Sequence, residues 1–83
     1  MATRLTFSNL DQIAALGERI YRERYQDRYE REFPEKFVAI DVDTESSYLG
    51  DTPEEALENA TAANPAGIFY LGHVGFSEAI RLA

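Results

Sequence analysis

The sequence predicts an α+β fold in which a long helix precedes a β-β-α-β unit. Residues 8–32 are rich in helix formers, residues 37–43 alternate apolar and polar side chains as a strand does, and Thr52-Pro53-Glu54-Glu55 carries the signals of a helix start. We therefore expect a three-stranded mixed sheet in the strand order 2-1-3. All 83 residues belong to one small domain, with a helical arm over residues 1–35 and a ββαβ module over residues 36–83.

The first helix is expected to run from Ser8 to Glu32. Ser8 suits the N-cap position, and Pro34 ends the helix because it pushes Phe33 out of the α region. At 1.5 Å per residue the helix is about 36 Å long, longer than the sheet that it would cover. Gly17 is its weak point, since glycine costs a helix about 1 kcal/mol relative to alanine.

Two strands, a second helix and a third strand follow. Residues 37–43 and 47–50 predict a hairpin. The second helix begins at the Thr52 N-cap, with proline at N1 and glutamate at N3, and runs to about residue 63. Residues 68–74 are the third strand, reached by a right-handed crossover that leaves the second and third strands parallel. A last helical turn is predicted over residues 76–83.

The charge is unevenly distributed along the chain. Residues 1–36 hold seven acids and seven bases, whereas residues 37–83 hold eight acids and only Arg81, so the second half carries the whole net charge of −7. A segment with one cation is unsuited to a phosphate backbone, which needs several. The charge pattern therefore disfavours nucleic acid and favours a basic protein partner.

The N-terminal residues show no apolar stretch of the kind found in a secretory signal. Uninterrupted apolar runs reach only four residues, far short of the roughly 20 that span a bilayer. We expect a cytoplasmic protein that does not associate with membranes.

The residue types predict no catalytic site, no cofactor and no metal. Cysteine is absent and His73 is the only histidine, which excludes thiolate chemistry and sites that need two imidazoles. Asp41 and Asp43 share one face of the predicted first strand and, together with Glu45 or Asp51, could hold Mg²⁺. A metal-dependent, nuclease-like remnant is therefore an alternative function. We favour a solvated hairpin face instead, because no basic residues lie nearby to cradle a nucleic acid.

A row of aromatic residues on the first helix is the predicted partner-binding surface. An earlier apolar stripe (Leu10, Ile13, Leu16, Ile20) is followed by aromatics at every fourth position: Tyr21, Tyr25, Tyr29 and Phe33. At 100° per residue the apolar line winds around the helix, so one flat sheet face cannot easily bury both halves. Tyrosine is favoured at protein interfaces. We therefore predict that these four residues bind another protein or a second copy of the chain as a homodimer.

The arginines of the same helix alternate with acids. Pairs four residues apart predict a salt-bridged, solvated face rather than a nucleic-acid surface; they are Glu18–Arg22, Arg19–Glu23 and Asp27–Arg31.

Residues 50–60, Gly-Asp-Thr-Pro-Glu-Glu-Ala-Leu-Glu-Asn-Ala, resemble the strand-to-helix segment of HicB-like antitoxin domains. Residues 36–75 are also similar to a group of small uncharacterised bacterial proteins with a KFVAIDV…GDTPEEAL…FYL…G pattern. The resemblance implies a truncated RNase H-like sheet, although a long helix stands where HicB-like domains open with a further strand. It implies a non-enzymatic protein-binding module, antitoxin-like or accessory to a neighbouring-gene product. A homodimer of unknown function remains a further alternative.

Overall fold

The computed structural model describes residues 10–76. The predicted Ser8 N-cap and the predicted turn beyond Phe76 lie outside these residues. The α+β class and the strand order 2-1-3 are confirmed. The elements are α1 (Leu10–Ile20), a π-helical turn (Tyr21–Tyr25), α2 (Gln26–Glu32), β1 (Phe37–Asp41), β2 (Ser47–Gly50), α3 (Pro53–Ala63) and β3 (Phe69–His73).

The sheet is antiparallel throughout, so the prediction of a mixed sheet is wrong. β1 lies in the centre and pairs with β2 from Phe37 opposite Gly50 to Ile40 opposite Ser47. It pairs with β3 from Phe37 opposite His73 to Asp41 opposite Phe69. β2 and β3 do run in the same direction, as the crossover requires. They never pair with each other because β1, running the opposite way, lies between them.

Helices cover both faces of the sheet. α3 packs the fully buried Ala56 and Ala60 against Ala39 and Leu71, and these small side chains allow the helix to lie close to the strands. Of the other two residues predicted on this inner face of α3, Leu57 is half-buried, while Ala63 is exposed.

The long helix covers the opposite face. Ile13 and Ile20 of α1 pack into one cluster with Val38 and Ile40 of β1 and with Val74, directly after β3. The burial of these five side chains shows that the helix uses its own sheet as the partner for its apolar stripe.

The long helix is interrupted, which the sequence did not predict. The N–H of Gln26 donates to the carbonyl of Tyr21, five residues back, in the π-helical turn. In an uninterrupted α-helix, Tyr29 would lie about 160° around the axis from Ile13. A π turn takes up one more residue than an α turn and so rotates the later part of the helix back by about 100°. The aromatic row is thereby brought to the same side as the apolar stripe.

The predicted cap of α3 is confirmed. Thr52 has extended backbone angles, and its Oγ1 accepts a hydrogen bond of 3.0 Å from the N–H of Glu55. The Glu55 carboxylate in turn accepts from the N–H of Asp51. Gly50 precedes this cap because a Cβ there would lie 2.3 Å from the backbone nitrogen of Ala56. The strand can therefore run directly against the first turn of the helix.

We expect Thr52→Ala to lower the free energy of unfolding by about 1 kcal/mol, because the N–H of Glu55 loses its acceptor. Urea unfolding measures the loss. Thr61→Ala, an exposed threonine inside the same helix, is the control and should change stability by less than about 0.5 kcal/mol. Equal effects of the two substitutions would contradict the cap.

Between residues 10 and 76, no helix combines the length and the apolar character needed to cross a bilayer.

Candidate binding groove between the first helix and the third strand

The four aromatics predicted to bind a partner pack against the chain's own core. Tyr29 is only 7% exposed, and the other three are half-buried against the same cluster. Tyr29 stacks on Tyr25 at 5.2 Å between ring centroids and meets Phe33 edge-on at 5.6 Å. The chain's own core therefore covers much of the row, because the π-helical turn rotates the row inward. A role of Tyr21, Tyr25, Tyr29 and Phe33 in partner binding stays a prediction.

The hydroxyl groups of this aromatic row bind the β1–β2 hairpin. Tyr25 donates its hydroxyl hydrogen to the carbonyl oxygen of Glu45. The Tyr29 hydroxyl lies 2.6 Å from Oγ of Ser47. Arg24 adds an ion pair of 2.9 Å to the Glu45 carboxylate. This side of the long helix is therefore attached to the hairpin.

Asp41 is a structural residue at the end of β1. Its side chain is fully buried and accepts hydrogen bonds from Nδ2 of Asn64 at 2.7 Å and from the N–H groups of Asp43 and Thr44 at 2.9 and 3.2 Å. Burial alone would raise the pKa of this carboxyl. The hydrogen bonds from Asn64 and the two backbone amides outweigh that effect and lower the pKa below its ordinary value.

The predicted pairing of Asp41 with Asp43 on one strand face is wrong. β1 ends at Asp41, and Asp43 lies exposed in the following turn. Within residues 10–76 no group of three or more His, Cys, Asp or Glu side chains is placed to hold a metal ion. The carboxylate of Asp41 already accepts three hydrogen bonds, so this geometry does not favour a metal-dependent reaction there.

His73 lies in a stack of rings at the end of β3. Its imidazole is sandwiched between Phe37 and Phe76, with centroid distances of 4.1 and 3.9 Å and nearly parallel planes. Nε2 lies 3.2 Å from the carbonyl oxygen of Glu35. The ring stack and this contact give His73 a packing role at the end of β3.

A groove between the long helix and β3 is a candidate binding site within the described residues. It has a volume of about 350 Å³, within the range of about 300–1,000 Å³ that is usual for ligand sites. One side is formed by the helix and the other by β3 and the residues after it. The lining residues are Glu18, Tyr21, Arg22, Gln26, Glu30, Tyr70, Gly75 and Phe76.

α1 packs closely on β3 next to two residues of this groove, Glu18 and Tyr70. A Cβ atom at Gly17 would lie 2.2 Å from Cγ of Tyr70, so only glycine lets the helix come this near. The π-helical turn begins at Tyr21, directly beyond this contact. Such turns are frequent at functional sites.

Both tyrosines of the groove are held in their protonated form. Burial, the charge of Glu18 and the neighbouring Tyr21 raise the pKa of Tyr70 to about 12. Burial and the charge of Glu30 also raise the pKa of Tyr21, with the Gly75 backbone opposing them. The Tyr21 hydroxyl is buried and meets the geometry of a hydrogen bond with no atom of residues 10–76. At neutral pH these phenols can donate hydrogen bonds but cannot act as bases.

Two carboxylates and one guanidinium give the groove a net negative charge. Glu18 is half-buried, Glu30 is exposed, and one oxygen of Glu30 accepts a hydrogen bond of 3.0 Å from Nε2 of Gln26. Arg22, on the same side of the helix, is exposed. The groove therefore presents acidic groups beside aromatic rings, which suits a cation with apolar surface.

The ion pairs predicted along the helix form only after the π-helical turn. Asp27 and Arg31 pair at 3.1 Å, as predicted. Glu18–Arg22 and Arg19–Glu23 are not among the ion pairs of the described part of the chain, and both span the start of the turn. The π-helical turn changes the spacing between residues there, so the Glu18 carboxylate does not form the predicted ion pair with Arg22.

The sequence reasoning missed the groove. Its helical side is a polar row at every fourth position beside the aromatic row, and such a row in a sequence predicts a solvated helix face. The polar row is the one signal in the sequence that points to a surface beside the aromatic row. Nothing in the residue types indicates that β3 lies against the polar row.

Comparison of the chain with protein-family models, with curated proteins and with solved structures finds no match. The resemblance to HicB-like domains therefore stays a prediction.

Proposed function

We propose that this protein is a non-enzymatic module, antitoxin-like or accessory to a neighbouring-gene product, that binds a basic segment of another protein in the groove. The observation that carries the proposal is the placement of Glu18 and Glu30 beside the rings of Tyr21, Tyr70 and Phe76 in one groove. Carboxylates attract a basic side chain, and the rings can cover its aliphatic stem.

The overall charge supports the same proposal. The net charge of −7 favours encounter with a basic partner and disfavours nucleic acid. A cytoplasmic location is part of the proposal.

Homodimerisation through the predicted aromatic surface is the second candidate. The half-exposed edges of Tyr21, Tyr25 and Phe33 are the part of that surface left for contact. Sedimentation equilibrium of the full chain decides whether it self-associates, and a monomer at all concentrations would overturn the homodimer.

We expect a capped hexapeptide of alternating lysine and arginine to bind the groove, whereas the matched all-glutamine peptide should not bind. Titration followed by ¹⁵N–¹H correlation spectra should shift the amides of Tyr21, Gln26, Tyr70 and Gly75. Glu18→Gln/Glu30→Gln should weaken binding about fivefold, the sum of two partly exposed charge interactions.

Glu54→Gln/Glu58→Gln is the matched control, because it removes the same charge from the exposed side of α3, on the other face of the sheet. Arg22→Gln has the opposite expected sign, since removing a like charge from the groove should strengthen binding. Absence of peptide binding, or equal weakening by the two double variants, would overturn the groove as the binding site.

A further inference from the structure

We infer that the groove selects arginine over lysine, with the guanidinium of the partner stacked on the ring of Phe76. This inference rests on the proposed function and specifies the chemistry of the partner. The observation that carries it is the stack of three rings at the end of β3, formed by Phe37, His73 and Phe76. The binding proposal alone gives this stack no role.

The stack is anchored in the sheet. Phe37 of β1 and His73 of β3 are directly opposite each other in the strand register. Their rings lie 4.1 Å apart with an angle of 12° between planes, and Phe76 continues the column at 3.9 Å and 10°. The N–H of Phe76 donates to the carbonyl of His73 at 3.0 Å, which ties its backbone to the strand. Phe76 therefore offers a ring of defined orientation.

Much of Phe76 remains available to a ligand. Phe76 is 55% exposed although its ring stacks on His73, and it is the one large apolar residue that is exposed among residues 10–76. Phe76 also lines the groove, as Glu18 and Glu30 do. A planar group on Phe76 would extend the column by a fourth layer.

Arginine fits this arrangement better than lysine for two reasons. Its guanidinium is planar, weakly hydrated and able to stack on an aromatic face, whereas the lysine ammonium is compact and strongly hydrated. Its planar fork of N–H donors can also bind one carboxylate through two parallel hydrogen bonds. Glu18 and Glu30, which line the groove, are the candidate acceptors, and Phe76 supplies the flat surface.

The test compares two capped hexapeptides that contain arginine or lysine at the same alternating positions, with glycine between them. We expect the wild-type protein to bind the arginine peptide about fivefold more tightly, the size of one exposed cation–π contact. Phe76→Leu should abolish this preference by weakening arginine binding alone. Phe76→Tyr keeps a flat ring and should retain the preference.

The outcomes separate this inference from the function on which it rests. Equal affinity for the two peptides, with both weakened by Glu18→Gln/Glu30→Gln, would overturn arginine selection and leave the binding proposal standing. A preference that survives Phe76→Leu would overturn the role of the stack. Binding of neither peptide would overturn both proposals.

Discussion

Gly17→Ala is expected to destabilise the protein by about 3 kcal/mol, the upper end of the usual cost of overpacking. A Cβ atom at this position would lie 2.2 Å from Cγ and 2.3 Å from Cβ of Tyr70. The Cβ atom of Tyr70 is fixed by the β3 backbone, so rotating the tyrosine side chain cannot relieve its overlap. α1 would have to move away from the sheet and open the core that Ile13 and Ile20 share with Val74. Urea unfolding measures the change.

The control separates this contact from helix propensity. By propensity alone, Gly17→Ala would stabilise α1 by about 1 kcal/mol. Ala15→Gly, at an exposed position on the same helix, should lose about that amount. If Gly17→Ala proves as stable as the wild type or more stable, α1 and β3 do not approach each other closely at Tyr70.

Asp41→Ala is expected to cost about 3 kcal/mol, because donors from Asn64, Asp43 and Thr44 lose their shared acceptor. These bonds hold the end of β1, the turn after it and the C-terminal end of α3 together. Asp43→Ala, exposed in the same turn, is the control and should change stability by less than about 0.5 kcal/mol. Similar effects of the two substitutions would show that the buried carboxylate does not hold these segments.

The same carboxylate predicts a dependence of stability on acid. Its pKa is lower in the folded than in the unfolded protein, so the unfolded state takes up a proton more readily. The contribution of Asp41 to stability is present above its ordinary pKa of 3.8 and is lost as the pH falls through the folded value. Asparagine does not titrate, so the Asp41→Asn variant lacks this pH-dependent contribution to stability. The stability difference between wild type and Asp41→Asn should therefore narrow between pH 6 and pH 2, and a constant difference would contradict the lowered pKa.

Local signals in the sequence were enough for part of the fold. The start of α3 could be read from Thr52, because capping depends on side chains within one turn of each other. The alternation in residues 37–43 predicted the first strand, and the crossover rule predicted that the other two strands run in the same direction. The simplest sheet that satisfies both places β1 between them. These features depend on neighbours in the chain, which the sequence displays directly.

The candidate site depended on contacts that only the tertiary structure defines. Gly17 reads as a weak point of a helix, whereas in the fold it is the place where α1 touches β3 at Tyr70. The sequence pattern predicts that Asp41 is solvated together with Asp43. In the fold Asp41 is buried and accepts a hydrogen bond from Asn64, which is 23 residues away. Neither partner can be recognised from residue type or spacing.

The sequence by itself determined that the apolar stripe of residues 10–20 and the aromatic row of residues 21–33 would lie on different sides of an uninterrupted helix. Only the tertiary structure decided how both are buried. An α-helix of this sequence can turn only one stripe towards a single sheet face. The π-helical turn from Tyr21 to Tyr25 takes up one extra residue and aligns the second stripe with the first. No residue in that turn favours it by propensity. The turn is stable because the burial of Tyr29 and its neighbours against the sheet outweighs the poorer hydrogen bonding within the turn. This gain in free energy exists only when the helix and the sheet are packed together.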